Sequence, residues 1–336
     1  MTQTLRRRAA LGTTALAGLL LSACGTGDDG SGATTITLYT SEPQEKIDEL
    51  LADFAQVEPD IEVEVFRAGT GDLTARLETD LNAGDPGADV FLAADAPTFE
   101  GFKEDGLLME LDSEELDAVP DQWQDPEGQY VGTRIIPTVI AYNTAEYDAA
   151  PASWQELTEA EYDGQITLPD PAVSGAAAFN AAVWYLQDDL GEDWFADLGG
   201  NSPVIAESNG PVGQSVAEGS QPVGVVVDFM MRDLHDAGSP AAVSYPEEGV
   251  PYIYQPIGIF EATEEAEAAQ AFVDYVISQR GQEYAVEQNY LPVREDAGTP
   301  EGAPRLDEIS FMEEGLSEIT EVQGEALDAF DSTVGG

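Results

Sequence analysis

Between Thr35 and Leu107 the spacing of apolar residues switches repeatedly between the two-residue period of a strand and the 3.6-residue period of a helix, which few folds accommodate. Thr35-Ile36-Thr37-Leu38-Tyr39 alternates, and Pro43 to Val57 then carries Ile47, Leu50, Leu51 and Phe54 on one helical face. Ile61 to Phe66 alternates again. A turn at Ala68-Gly69-Thr70-Gly71-Asp72 leads into a helix bearing Leu73, Leu77 and Leu81. Ala88 to Ala93 reads as a buried strand and Asp95 to Leu107 as the helix after it. Strands alternating with helices in this way predict an α/β fold built on a doubly wound parallel sheet.

A second unit follows the long extended run Thr133 to Tyr142, which suits a strand crossing between two lobes. Within it Gln165 to Leu168 is a short strand, Gly175 to Leu190 a helix and Val223 to Val227 a buried strand. Val250 to Phe260 is extended and holds Pro251 and Pro256, as a second crossing would. Glu264 to Ser278 is an amphipathic helix with Ala268, Phe272, Tyr275 and Val276 on one face. The expected division is residues 35–135 with 257–300 as one lobe and 136–256 with 301–330 as the other, each lobe a doubly wound sheet.

The N-terminus sets the compartment. Arg6, Arg7 and Arg8 precede an apolar run from Ala9 to Leu21 that is too short to span a bilayer as a helix but suits a signal peptide. It ends in Leu21-Ser22-Ala23-Cys24, which resembles a bacterial lipobox. Residues 1–23 are therefore expected to be a lipoprotein signal, and Cys24 the lipidated first residue of the mature chain. The arginine run hints at twin-arginine export, and the general route stays open. With the single cysteine so used, no thiol is left for a disulfide, a metal site or nucleophilic catalysis. Residues 24–34 are small and polar and read as a flexible leash.

The charge is extreme. The chain has 66 acidic residues against 12 basic ones, a net charge of −54. Removing residues 1–23 takes three arginines and no acids, leaving 9 basic against 66 acidic residues, or −57. Such a surface excludes nucleic acid as a partner, which needs cationic patches. The acids are spread through well-patterned segments, which fits a surface adapted to salt, because salt screens self-repulsion.

The order of segments resembles the periplasmic-binding-protein fold of type II, with two inter-lobe crossings, and in particular the branch that holds ferric-ion, thiamine, polyamine and phosphonate binders. The resemblance is carried by Gln255-Pro256-Ile257-Gly258-Ile259, the helix with Ala269-Gln270-Ala271-Phe272-Val273-Asp274-Tyr275, then Ser278-Gln279-Arg280-Gly281-Gln282 and Leu291-Pro292-Val293-Arg294. Tyr39-Thr40-Ser41, Gly69-Thr70-Gly71 and Asp170-Pro171 with Ser174-Gly175-Ala176 add to it. It implies a solute-binding subunit of an ABC importer, a monomer with no cofactor, anchored outside the cell membrane at Cys24. The implied partners are an ABC permease, its ATPase and a small anionic or zwitterionic ligand, trapped by hinge closure. A sensor-coupled binding lipoprotein shares the same fold.

Ligands of open α/β sheets lie beyond the carboxyl ends of the strands, where helix N-termini offer unpaired N–H groups. Thr40-Ser41, Thr70-Gly71, Asp95 and Ser174-Gly175-Ala176 occupy such positions, although residues of these types are also ordinary helix caps. The resemblance raises Ser174, Gly175 and Ala176, since that loop is similar to the anion-holding loop of ferric and phosphonate binders. Asn209 reads equally as an amide donor or a turn residue. Ferric-binding relatives place two adjacent tyrosines after the strand that ends here at Val227. This chain has Asp228-Phe229-Met230-Met231, which supplies no phenolate, and its single histidine, His235, reads as a surface residue, so no metal site is expected. Asp228, with Phe229 beside it, is a candidate to receive a ligand ammonium, and Glu207 a weaker one. The combined expectation is a phosphonate or phosphate-bearing solute, with 2-aminoethylphosphonate the obvious case. Iron, polyamine, thiamine and sugar remain alternatives.

Trp123, Trp154, Trp184 and Trp194 fit core packing better than a sugar-stacking platform. Neither G-x-S-x-G nor H-E-x-x-H occurs, and a binder is expected rather than an enzyme. The charge makes one prediction. Between about 0.1 M and 1 M NaCl the Debye length falls from about 10 to about 3 Å. The melting temperature should therefore rise with salt, and a flat or falling trend would count against a surface limited by self-repulsion.

Overall fold

The computed structural model describes residues 33–335. The signal segment, Cys24 and most of the leash lie outside the described residues, and the first strand opens at Thr34. The alternation at the start of the chain becomes β1 (Thr34–Thr40), α1 (Gln44–Val57), β2 (Ile61–Arg67), α2 (Thr70–Ala83), β3 (Val90–Leu92) and α3 (Ala96–Glu104). Steps of three and four residues in α1 bury Ile47, Leu50 and Phe54, and a step of four in α2 buries Leu73 and Leu77. β1 lies between β2 and β3 and is parallel to both. β2 exposes Glu62 and Glu64 between half-buried residues, as befits a sheet edge.

The next elements are β4 (Tyr130–Gly132), β5 (Arg134–Asn143), β6 (Ile166–Pro169), α4 (Gly175–Leu186), α5 (Gly191–Gly200), β7 (Val204–Ala206), α6 (Asn209–Glu218) and β8 (Val223–Val227). After them come α7 (Asp228–Asp236), β9 (Ala241–Ser244), β10 (Tyr252–Ile253), β11 (Pro256–Ile259), α8 (Ala266–Ile277), α9 (Gln279–Glu287), β12 (Leu291–Pro292) and α10 (Leu316–Thr333). The first sheet runs β2-β1-β3-β11-β4 and the second β10-β5-β8-β6-β7, with β9 and β12 also pairing β5.

Neither sheet is wholly parallel, which corrects the expectation from periodicity. β11 lies antiparallel between β3 and β4, and β5 lies antiparallel to β8. The reason is the way the chain changes sheets. It passes from β4 to β5 through Thr133 alone and from β10 to β11 through Tyr254-Gln255, with no crossover helix to reverse its direction. The two passing segments pair with each other on both sides, Gly132 with Pro256 in one sheet and Ile136 with Ile253 in the other.

The tryptophans are interior. Trp154, Trp184 and Trp194 pack against one another with ring centroids 5.0 to 6.3 Å apart. The indole N–H of Trp154 donates to the Gly249 carbonyl and that of Trp194 to the Trp154 carbonyl. Trp123 is buried against Tyr252 and Tyr254. α10 closes the second sheet's core by packing on α4 and α5.

Where the chain crosses between sheets, a buried polar cluster takes the place of apolar packing. Arg134, 2 % exposed, pairs with Glu42 at 2.9 Å, and its guanidinium lies 4.4 Å from the Tyr290 ring centroid. The Tyr290 hydroxyl and the Gln255 amide also donate to Glu42. Thr133 donates its hydroxyl to the Gln255 carbonyl, tying one crossing to the other. Removing one partner of a buried pair leaves an uncompensated charge. Glu42→Ala should therefore lower unfolding stability by about 3–5 kcal/mol in urea titrations. Arg280→Ala, which breaks a pair with Asp53 at the surface, should cost far less; equal losses would show that the crossing cluster is not the tie inferred here.

Candidate functional site

Between the carboxyl ends of the strands lies a cavity of about 370 Å³. Its wall is built mainly from the residues that end a strand and start a helix. Gln44 opens α1, Thr70 α2, Gly175 and Ala176 α4, Asn209 and Gly210 α6, and Phe229 the first turn of α7, and all of them line it. The first four N–H groups of an α-helix have no partner within the helix, and its N-terminus carries about half a positive charge. Several such ends converging on one cavity make it attractive to an anion.

The candidates read from the sequence divide. Ser41, Thr70, Ser174, Gly175, Ala176, Asn209 and Phe229 line the cavity together. The Ser174 hydroxyl caps α4 by accepting from Ala177 N at 3.3 Å and also accepts from the Asn209 amide at 3.0 Å. Asn209 in turn accepts from Val227 N. The capping role and the cavity position thus coincide at Ser174. Ser41 accepts from Ala94 N at 3.4 Å, holding the loop after β1 against the end of β3.

Four positions, Thr40, Gly71, Asp95 and Asp228, lie outside the cavity wall. Thr40 is fully buried and its hydroxyl accepts from Glu42 N at 3.1 Å, so it shapes the turn rather than the cavity wall. Asp95 caps α3 through Thr98, and burial raises its carboxyl above the usual range. Gly71 is a contact residue: a Cβ there would lie 2.3 Å from the Ala172 carbonyl oxygen. At Gly175 a Cβ would meet Ala94 O at 2.5 Å and Thr70 Cγ2 at 2.8 Å. Glycine at these positions lets the start of α2 meet the loop before α4 backbone to backbone across the cavity.

Asp228 is the main correction. It is fully buried and outside the cavity wall, because the first turn of α7 carries its side chain toward Arg232 one turn on. Arg232 pairs with it at 2.8 Å and the Tyr245 hydroxyl donates to it at 3.0 Å. Burial pushes the Asp228 carboxyl up while Arg232 pulls it down. Held by a guanidinium and buried outside the cavity wall, this carboxylate is not placed to meet a ligand ammonium. Glu207 is exposed and also outside the wall, and His235 is exposed with Nδ1 3.1 Å from the Ala241 carbonyl.

Reasoning from sequence missed Arg67, Met230 and Gln255, which all line the cavity. Arg67 is the last residue of β2, and its Nε donates to the Glu42 carbonyl at 2.9 Å. The other cations of the folded body, Lys46, Arg76, Lys103, Arg134, Arg232, Arg280, Arg294 and Arg305, each form an ion pair. Among the described residues Arg67 alone has no acidic partner, although acids outnumber bases 66 to 12. A signal for it was present, since it directly precedes Ala68-Gly69-Thr70 at the carboxyl end of a strand.

The model of the bacterial extracellular solute-binding protein family matches residues 85–313, and the chain belongs to that family. It is 27% identical over 255 residues to a probable ABC transporter periplasmic-binding protein of Sinorhizobium fredii, covering 72% of this chain and 69% of that one. Its fold is similar to the periplasmic binding protein AfuA of Actinobacillus pleuropneumoniae, solved with fructose-6-phosphate bound. That likeness has a TM-score of 0.81 at 22% identity over 90% of this chain and 99% of that one. Iron-bound HitA from Pseudomonas aeruginosa is similar at a TM-score of 0.79 and 20% identity, over 89% and 99% of the two chains. The relatives are solute-binding proteins, and the fold class is the two-sheet, type II form.

The reassignment of Asp228 has a measurable consequence. Asp228→Ala strands the buried Arg232 charge and should lower stability by about 3–5 kcal/mol in denaturant unfolding. A stable variant that instead loses solute binding would restore the ligand role.

Proposed function

We propose that this protein captures a small solute bearing a phosphate or phosphonate group for an ABC permease and its ATPase. The observation that carries the reading is Arg67, a guanidinium without an acidic partner among the described residues, at a cavity ringed by helix N-termini. A guanidinium meets phosphate oxygens through two parallel hydrogen bonds, and helix N–H groups can donate to the remaining oxygens. Ile136, Val227, Phe229 and Met230 offer an apolar wall for the rest of the molecule. Cavities of a few hundred Å³ suit small metabolites.

The net charge opposes an anion at long range, so local groups must decide binding. At about 1 M salt the repulsive field is screened beyond about 3 Å, whereas contacts with Arg67 and helix ends act within that distance. Ferric iron is a poorer fit. Phe229 and Met230, at the start of α7, provide no oxygen for a hard cation, and an unpaired arginine repels one. The aminoalkyl version of the ligand loses its support with Asp228 held by Arg232.

In this reading the solute binds the closed form, in which the glycine contacts across the cavity are made, and shifts the hinge equilibrium toward it. The two lobes are residues 35–135 with 257–300 and 136–256 with 301–330, turning about the paired crossings. The mature chain acts as a monomer tethered at Cys24 on the outer face of the cell membrane. Thermal-shift titration in high salt with fructose 6-phosphate, 2-aminoethylphosphonate, inorganic phosphate and ferric citrate tests the assignment. At least one phosphorus compound should stabilise the protein, and Arg67→Ala should weaken its binding by about 10- to 100-fold, as for hydrogen bonds to a charged group. Stabilisation by ferric citrate alone would discard the reading.

A further inference from the structure

Ser174 and Asn209 stand in the cavity wall at the starts of α4 and α6, both half-buried. The Val227 N–H donates to Asn209 Oδ1 at 3.3 Å, which fixes which way round the amide lies. The amide nitrogen donates to Ser174 Oγ at 3.0 Å, and the Ala177 N–H donates to the same oxygen at 3.3 Å. A hydroxyl oxygen has two lone pairs, and both are engaged here, so Ser174 is left only a proton to give. Among the described residues no protein acceptor takes that proton, which leaves it to the cavity. Asn209 keeps a second N–H while its oxygen is occupied. Two side chains that can in general accept are thus fixed as donors. Arg67 and the helix N–H groups in the same wall donate only.

The side-chain acceptors of the wall are engaged elsewhere. Glu42 receives Arg134, Tyr290 and Gln255 and is 3 % exposed. The Gln255 amide oxygen is buried out of reach, and Gln44 bonds along its own helix to Asp48. The hydroxyls of Ser41, Thr70 and Ser208 can turn either way, so the fixed donors set the bias. We propose that Ser174 and Asn209 make the site selective for an oxyanion that carries no proton. The favoured solute is a phosphate monoester or phosphonate in its dianionic form. Inorganic phosphate, which keeps a proton throughout the neutral range, is rejected. Its P–O–H group, set against donors, loses a hydrogen bond to water and gains none. This rests on the anion reading of the cavity and adds to it which oxyanions the site admits.

Calorimetric titration of the full-length protein at about pH 8 with inorganic sulfate, inorganic phosphate and methyl phosphate isolates the proton. Phosphate esters lose their second proton near about pH 6, so all three are then chiefly dianions and inorganic phosphate alone retains a proton. Sulfate and methyl phosphate should each bind at least about fivefold more tightly than inorganic phosphate, the cost of one unsatisfied donor. Asn209→Asp reverses the relay: a carboxylate can only accept, so Ser174 donates to it and turns a lone pair to the cavity. That variant should weaken sulfate and narrow or invert its advantage over phosphate. An equal loss for both ions would overturn the relay, since a merely structural role moves them together. Inorganic phosphate bound by the unmutated protein as tightly as the other two would overturn the proposal and leave the anion site standing. Failure of all three, and of fructose 6-phosphate, would remove the anion reading and this inference with it. Should Asn209→Asp fail to fold by circular dichroism, or bind none of the ions, the three-ligand comparison on the unmutated protein decides the question alone.

Discussion

The buried pair of Glu42 and Arg134 is the contact on which the rest of the molecule is organised. Glu42 belongs to the turn after β1, Arg134 starts the long strand of the second sheet, and Gln255 and Tyr290 reach the same carboxylate from the second crossing and from just before β12. Four distant stretches of chain thus meet at one charge. Removing two ions from water is costly, and further hydrogen bonds to the pair offset part of that cost. Here three donors converge on one carboxylate and an aromatic ring covers the guanidinium. Hydrogen bonds are directional, so the cluster fixes the geometry of the crossings more tightly than an apolar contact could. Gln255 is positioned at the cavity because it is a member of that cluster.

The second constraint is the scarcity of positive charge. Most cations of the folded body are spent holding elements together: Lys46 joins α1 to α7, Lys103 joins α3 to Asp125, and Arg294 reaches Glu115. In a chain with so many carboxylates an arginine without an acidic partner must be kept apart from them. Arg67 is kept apart by its place at the end of β2, where the neighbouring wall is hydroxyls, backbone N–H groups and apolar side chains. Glu42, the one acid that lines the same cavity, turns its carboxylate to Arg134 and leaves only its backbone carbonyl to Arg67. The neutralised floor and the free guanidinium are consequences of the same cluster.

The sequence by itself determined the α/β class, because the shift between periods of two and 3.6 residues is a local property that Ile36, Leu38, Ile47, Leu50 and Phe54 display directly. It also located the loops at the carboxyl ends of the strands, so Ser41, Thr70, Ser174, Gly175, Ala176, Asn209 and Phe229 were legible as neighbours of a cleft. Only the tertiary structure decided which charges were available. Asp228 and Glu42 look alike in sequence, each following a buried strand, yet both are consumed by arginines, one a turn further along its helix and the other 92 residues away. Pairing of that kind depends on distances through space, which periodicity does not encode. The antiparallel strands escaped for the same reason, since direct passage through Thr133 and through Tyr254-Gln255 brings strands into the sheets antiparallel to their neighbours without changing any local pattern. Arg67 stands out only once every other cation of the described residues has been assigned an acidic partner, and that assignment exists only in the folded chain.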